Sequence, residues 1–191
     1  MRAQREALGI SLRELARRAE VSPSLVSQIE RDRVTPSVQT LYALVTALGM
    51  TMGDIFVGEG ESVGPTTAGS PVTAPGSRMV INLASGIEWQ RLTPFADPLI
   101  EFNLITYAVG GASCEGDSLM THGGKEFGYV LRGCLGVRIG FDEYEVAPGE
   151  SISFDSSSPH RLWAVGDQPA EAIWVVVGRQ GDPRHPGNGQ L

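Results

Sequence analysis

"VSPSLVSQIERDR", residues 21–33, reads as one short helix with two unlike faces. Ser22 precedes Pro23, which suits the first helical position because the amide there would have no partner anyway. Leu25 and Ile29, four residues apart, make an inward apolar stripe. Ser24, Ser27, Gln28 and Arg31 fall at i, i+3, i+4 and i+7, a single polar stripe on the other side. Short hydroxyls, one amide and one guanidinium suit a helix that enters the major groove of DNA, where bulk would clash and a carboxylate would be repelled. A solvated face has the same periodicity, so the neighbouring elements decide between the two.

Those neighbours are helical. Ser11-x-x-Glu14 is a capping box ahead of Leu12, Leu15, Ala16 and Ala19 at helix spacing. Thr35-Pro36 starts a third helix, with Val38, Leu41, Val45 and Leu48 facing inward and Gly49 ending it. Ile55 and Phe56 close the bundle. A capped helix, a tight break at Glu20–Val21 and a second short helix follow the plan of a helix-turn-helix.

Charge points the same way. The chain of 191 residues carries a formal charge of -7, so no overall basic field draws it to nucleic acid or membrane. Through residue 33, however, seven arginines (2, 5, 13, 17, 18, 31, 33) face five acids (6, 14, 20, 30, 32), a local net of +2. Contact with nucleic acid therefore belongs to the first third. The start "MRAQREALGI" lacks the apolar core of a secretion signal, and the run "LYALVTALGMTMG" is 13 residues and includes glycines and threonines, too short to span a membrane. Cys114 and Cys134 make no disulfide framework and read as reduced thiols, so a cytoplasmic protein is expected.

Residues 58–77 are almost entirely Gly, Pro, Ser, Thr and Ala, the composition of a flexible linker. Beyond them the period changes to short strands separated by turn residues: "MVINL", "IEWQRL", "LIEFNLITYAV", "FGYVLRG", "LGVRIG", "YEVAPG", "SISF", "HRLWAV" and "AIWVVVG". That pattern indicates a sandwich or barrel. The expected organisation is a two-domain α + β chain: an all-α bundle over 1–57, the linker, an all-β domain over 78–178 and a fraying tail over 179–191.

Within the β half, "MTHGGKEFGYVLRG", residues 120–133, sets His122 four positions before Glu126. On a straight strand such residues lie about 13 Å apart, too far to share an ion at bonds near 2 Å. Gly123-Gly124 lets the chain reverse between them, and "FDSSSPHRLW" brings His160 to the start of a later strand. Two imidazoles and one carboxylate form the ligand set of an open non-haem iron site, and would equally suit zinc, nickel or manganese. The same three residues read otherwise as the lining of a pocket without metal. Tyr129, Trp163 and Trp174 read as core packing.

The stretch "ISLRELARRAEVSPSLVSQIERDRVTPSVQTLYALVTALGMTMGDIF", residues 10–56, resembles the Xre/Cro-type helix-turn-helix family. It carries the "S-L-x-E-L-A" helix, the "V-S-x-S-x-V-S-x-I-E" recognition helix and the "P-S-x-x-T-L" continuation, and the resemblance covers residues 2–56. It implies Ser22, Ser24, Ser27 and Gln28 at base edges and neighbouring phosphates, with Arg31 and Arg33 at the backbone beyond the helix end. Gln28 is the candidate for direct base reading. Arg13 and Arg17 are open between phosphate contacts and solvated surface. Two departures stand out: the chain begins within the family's first helix, so that either this helix is short or the true start lies upstream of Met1, and Glu20 sits where glycine is frequent.

The β half resembles the cupin family, a double-stranded β-helix or jelly-roll barrel, over roughly residues 98–177. Glu126, six intervening residues and Gly133 match its first motif, and "PGESISFDSSSPH", residues 148–160, resembles its second. Met120 stands where a fully ligated cupin has another histidine, and Cys114 replaces the opening glycine. The combination resembles bacterial transcription regulators. It implies a homodimer on a pseudo-palindromic double-stranded DNA operator, with the barrel sensing a small-molecule effector, and no enzymatic activity. The alternative is a mononuclear iron enzyme resembling hydroxypropylphosphonate epoxidase, with His122, Glu126 and His160 as its facial triad. Against it, Lys125 is the only lysine, whereas a phosphonate site calls for several cationic donors.

Overall fold

The computed structural model describes residues 1–56, 70–97 and 99–178. Most of the expected linker and the whole of the expected tail, with His185, lie outside the described residues. The short first helix is α1, Arg2–Ala7. It is tied down by Arg5, whose guanidinium makes a bidentate pair with Glu30 at 2.8 and 2.9 Å. Helix α2, Leu12–Arg18, starts at Ser11, whose hydroxyl accepts the Glu14 amide. The expected box is only half made: the Glu14 carboxylate turns instead to Arg17 and Arg18, both at 2.8 Å. A complete box forms at Thr51 and Asp54, where α5, Met52–Ile55, begins.

Helix α3, Pro23–Ile29, begins at Ser22, whose hydroxyl accepts the Leu25 amide. Val26 and Ile29 are its buried residues, and Leu25 is only half-buried. Helix α4, Val38–Ala47, starts later than Thr35-Pro36 suggests, because the Ser37 hydroxyl caps the Thr40 amide. Gly49 follows it in the left-handed region at φ 63°.

Helix α4 does not face a single core. Leu44 and Leu48 pack with Leu15, Ala16, Val26 and Ile29 inside the bundle. Val38, Leu41, Tyr42 and Val45 instead belong to a cluster continuous with the β domain, joined by Met52 and Phe56. Phe56 therefore closes onto the barrel rather than onto the bundle, with the Arg91 guanidinium 5.7 Å above its ring. Backbone bonds reinforce this docking: Ala84 N donates to Pro36 O at 2.9 Å and Gln39 N to Ser113 O at 3.4 Å. A fully buried leucine contributes roughly 1.5–3 kcal/mol, so the two-sided burial of α4 holds the halves together.

All nine expected strands form: β1 Val80–Leu83, β2 Ile87–Arg91, β3 Ile100–Tyr107, β4 Lys125–Arg132, β5 Cys134–Ile139, β6 Asp142–Val146, β7 Ser151–Asp155, β8 His160–Val165 and β9 Ala170–Val177. They build a six-stranded antiparallel sheet, β1-β2-β3-β9-β4-β7, against a three-stranded one, β6-β5-β8. Strict alternation along β8 and β9 sends His160, Leu162, Trp174 and Val176 inward. Gly128 lies directly across from Trp174, and a Cβ there would run into the indole, so a side chain is excluded.

Candidate functional site

Two constellations stand out. On α3, Ser24 and Gln28 are exposed while Val26 and Ile29 are buried; Arg31 and Arg33 are exposed too, but in the turn beyond the helix end rather than on the helical stripe that the sequence suggests for Arg31. Gln28 Nε2 donates to Ser24 Oγ at 3.4 Å, a weak bond within the stripe. Ser22 is exposed but already caps its own helix, and Ser27 is half-buried. Arg17 is bound to Glu14 at 2.8 Å, while Arg13 is exposed.

The second lies inside the barrel. His122 precedes β4 in a loop where Gly124 takes φ 101°, the reversal that the paired glycines allow. His122 Nε2 reaches Glu126 Oε1 at 2.9 Å, and His160 Nε2 reaches the same oxygen at 3.1 Å. The three donor atoms lie within 4.8 Å of one another, and Glu126 and His160 are buried. Both rings turn Nδ1 to a backbone carbonyl, His122 to Gly123 O at 3.0 Å and His160 to Ser158 O at 2.9 Å. That fixes Nδ1–H as the donor and leaves each Nε2 facing the carboxylate. Trp174 Nε1 donates to the other carboxylate oxygen at 2.6 Å.

Burial pushes the Glu126 carboxyl up, but the adjacent His122 and His160 rings outweigh it and hold the group well below the usual carboxylate range. Burial pulls His160 down, yet Glu126 outweighs this and raises it above the ordinary imidazole value. Tyr107, buried on the same wall, is raised by burial and by the Glu126 charge.

These residues fit a divalent cation. Glu126 Oε1 is buried without a hydrogen bond, although two ring nitrogens approach within ion-pair distance of it. Ligand bonds of about 2.1 Å place neighbouring donor atoms about 3 Å apart around a first-row ion, close to the 2.9 and 3.1 Å from the two histidines to Glu126 Oε1. His122, Glu126 and His160 would hold the ion, which would supply a Lewis-acidic centre with open positions. The cavity beside them measures about 20 Å³, enough for one water-sized group.

Sequence reasoning missed two participants. Trp174 is not mere packing, since it orients Glu126. Tyr42, on α4, lines the cavity and stacks on His122, with ring centroids 4.7 Å apart and planes 9° apart. No local signal marks Tyr42, because it sits in an ordinary apolar stripe. Of the other aromatics, Tyr129 is 47% exposed on the outer face of β4 and does not pack in the core. Trp163 is half-buried against Gly136 and Arg161. Among the described residues no arginine or lysine lines the cavity, which removes the cationic donors a phosphonate enzyme would need.

Comparison with known proteins agrees with both halves. The helix-turn-helix family matches residues 1–55, and the cupin domain matches residues 103–176. The chain is 26% identical over 158 residues to the HTH-type transcriptional regulator PuuR of Escherichia coli, covering 82% of this chain and 80% of that protein. It is 36% identical over 70 residues to the HTH-type transcriptional regulator DdrOP3 of Deinococcus deserti, covering 37% of this chain and 54% of that one. A crystal structure of an HTH_3 family transcriptional regulator from Vibrio cholerae superposes with TM-score 0.65 at 25% identity, over 92% of this chain and 91% of that one. The chain thus carries a helix-turn-helix domain in front of a cupin domain, and over most of its length it is similar to HTH-type transcriptional regulators.

Proposed function

We propose that the chain acts in the cytoplasm as a homodimer on a pseudo-palindromic operator, with the barrel sensing a small-molecule effector through or beside a divalent metal. The observation that carries the DNA reading is the division of α3 and the turn after it: Val26 and Ile29 anchor the helix, while Ser24 and Gln28 on it and Arg31 and Arg33 just beyond its end stay exposed. Gln28 takes the base-reading role, since an amide bonds adenine through two contacts at once. Arg31 and Arg33 take phosphates, and Ser22, Ser24 and Ser27 flank the base edges.

The dimer is supported by the outer face of the six-stranded sheet. Ile100, Phe102, Phe127, Tyr129, Leu131 and Val177 on β3, β4 and β9 are each 36–47% exposed. Register sets Phe102, Val175 and Phe127 side by side. At roughly 200 Å² for each full residue, the six expose on the order of 500 Å² of mostly apolar surface, a fitting core for an interface of about 800 Å² per partner. Two such chains would set their α3 helices about 34–36 Å apart on DNA.

The test is selection of DNA sites from a random duplex pool by the purified full chain. The wild type enriches a two-fold-related sequence, and Gln28→Ala loses or alters the preferred base while keeping its fold. A wild type that enriches no sequence contradicts the reading.

A further inference from the structure

The cavity in the barrel is not walled by the barrel alone. Val38 and Tyr42 of α4, one turn apart in the DNA-binding bundle, line it together with His122, Glu126 and His160. Tyr42 is only 8% exposed, lies face to face with His122 and meets Trp89 edge-on at 5.9 Å.

We propose that Tyr42 positions His122 within the metal-ligand set, so that filling the barrel centre and docking the DNA-binding bundle are one coupled event. This rests on the reading of the chain as a ligand-responsive regulator.

The three donors are not held alike. Glu126 and His160 sit on β4 and β8, where ladder bonds fix them. His122 sits before β4, outside any strand; its backbone amide donates to Ser156 O at 3.1 Å, but its ring has Nδ1 bonded only to the carbonyl of its neighbour Gly123. Its ring is held on one face by Tyr42 and against an edge by His160, 5.1 Å away at 85°. The stack leaves Nε2 pointing at Glu126 Oε1, which is the orientation a metal ligand needs. A residue of the bundle therefore sets the geometry of a ligand of the barrel.

Cavity sizes give the pair a second role. On the inner side there is about 20 Å³, room for a water or an ion. On the outer side an open cleft of about 660 Å³ runs between the barrel loop at 119–123 and the bundle, and Tyr42 and His122 line it too. Small-molecule pockets typically measure about 300–1,000 Å³, so an effector fits outside the pair but not inside it. Tyr42 and His122 line both spaces, so parting the stacked rings would open the inner centre to a group larger than a water. Because α4 also shares the bundle core with Val26 and Ile29 of α3, displacement of Tyr42 moves the element that supports the recognition helix. The coupling acts in both directions, as linkage requires.

The test uses cobalt(II) alone as the probe, on the full chain, with affinity read from its visible absorption. Tyr42→Phe keeps a stacked ring and binds cobalt within about threefold of wild type, whereas Tyr42→Ala weakens binding about tenfold or more, the range for loss of a group that orients a ligand. Tyr42→Leu, which keeps the volume but not the stack, takes the place of Tyr42→Ala if the latter does not fold. On a duplex enriched by wild type, cobalt shifts wild-type affinity about fivefold or more, and the shift falls below twofold in Tyr42→Ala although DNA is still bound. A wild type that takes up no cobalt, variants that take it up alike, or a shift that is absent in wild type or persists in Tyr42→Ala overturns the proposal. A wild type that enriches no DNA overturns the regulator reading instead, and the cobalt comparison alone then decides the role of Tyr42.

Discussion

The indole of Trp174 donates to Glu126 Oε2 at 2.6 Å, which turns Oε1 of the same carboxylate toward the two histidines. Trp174→Phe removes the donor and leaves a buried oxygen without a partner. The expected result is a loss of about 1–3 kcal/mol of stability together with cobalt binding weakened about 10–100-fold. Thermal melts and metal titrations of the same samples check both; unchanged metal affinity would assign Trp174 to packing only.

Gly128 faces Trp174 across the β4–β9 ladder, with the indole occupying the space of a side chain. Gly128→Ala therefore displaces the ring. A destabilisation of about 1–3 kcal/mol is expected, along with weakened cobalt binding, because moving Trp174 also releases Glu126. Gly76→Ala, exposed and with open space where its Cβ would go, controls for the loss of a glycine alone.

Glu20 occupies the left-handed region at φ 55°, closing α2 with bonds from Val21 N to Ala16 O and from Glu20 N to Arg17 O at 3.0 and 3.4 Å. This is the glycine-favoured end of a helix, and a side chain there costs about 1 kcal/mol. Glu20→Gly is expected to raise stability by about that amount in a denaturant titration. No gain would mean that the Glu20 side chain has compensating contacts.

Proton linkage in the barrel has a definite sign. His160 is raised by Glu126, so its contribution to stability is complete below about pH 6.5 and is lost as pH rises through the folded value. Glu126 is depressed, so its contribution is present above about pH 4.3 and is lost as pH falls through the folded value. The metal-free chain is therefore most stable between those limits. Cobalt competes with the proton on His160, and its affinity rises with pH across the His160 transition. Melts and titrations over pH check this; Glu126→Gln flattens the alkaline limb.

Much of this was legible in sequence because it rests on local patterns. The buried Ile29 and exposed Ser24 and Gln28 of α3, the nine strands and the His-x-x-x-Glu turn each follow from period, turn residues or bond reach, whereas α3 ends before Arg31 and buries Val26 in place of Leu25. Two further things were not. Thr35-Pro36 looked like a helix start, yet the Ser37 hydroxyl one step later is the cap that the chain uses. Helix α4 looked like a one-sided bundle helix, and its second buried face is set by the barrel, which no local window contains. Tyr42 was hidden for that reason: its partner His122 lies eighty positions away, and only docking brings the rings together.

The central claim is that two recognition helices read DNA. A hydroxyl-radical footprint of the wild-type chain on its enriched duplex tests it most directly. Two protected half-sites centred about one helical turn, 34–36 Å, apart are expected, with Gln28→Ala losing preference at one symmetric base in each. A single protected patch, or a footprint and base preference that Gln28→Ala leaves unchanged, would contradict it.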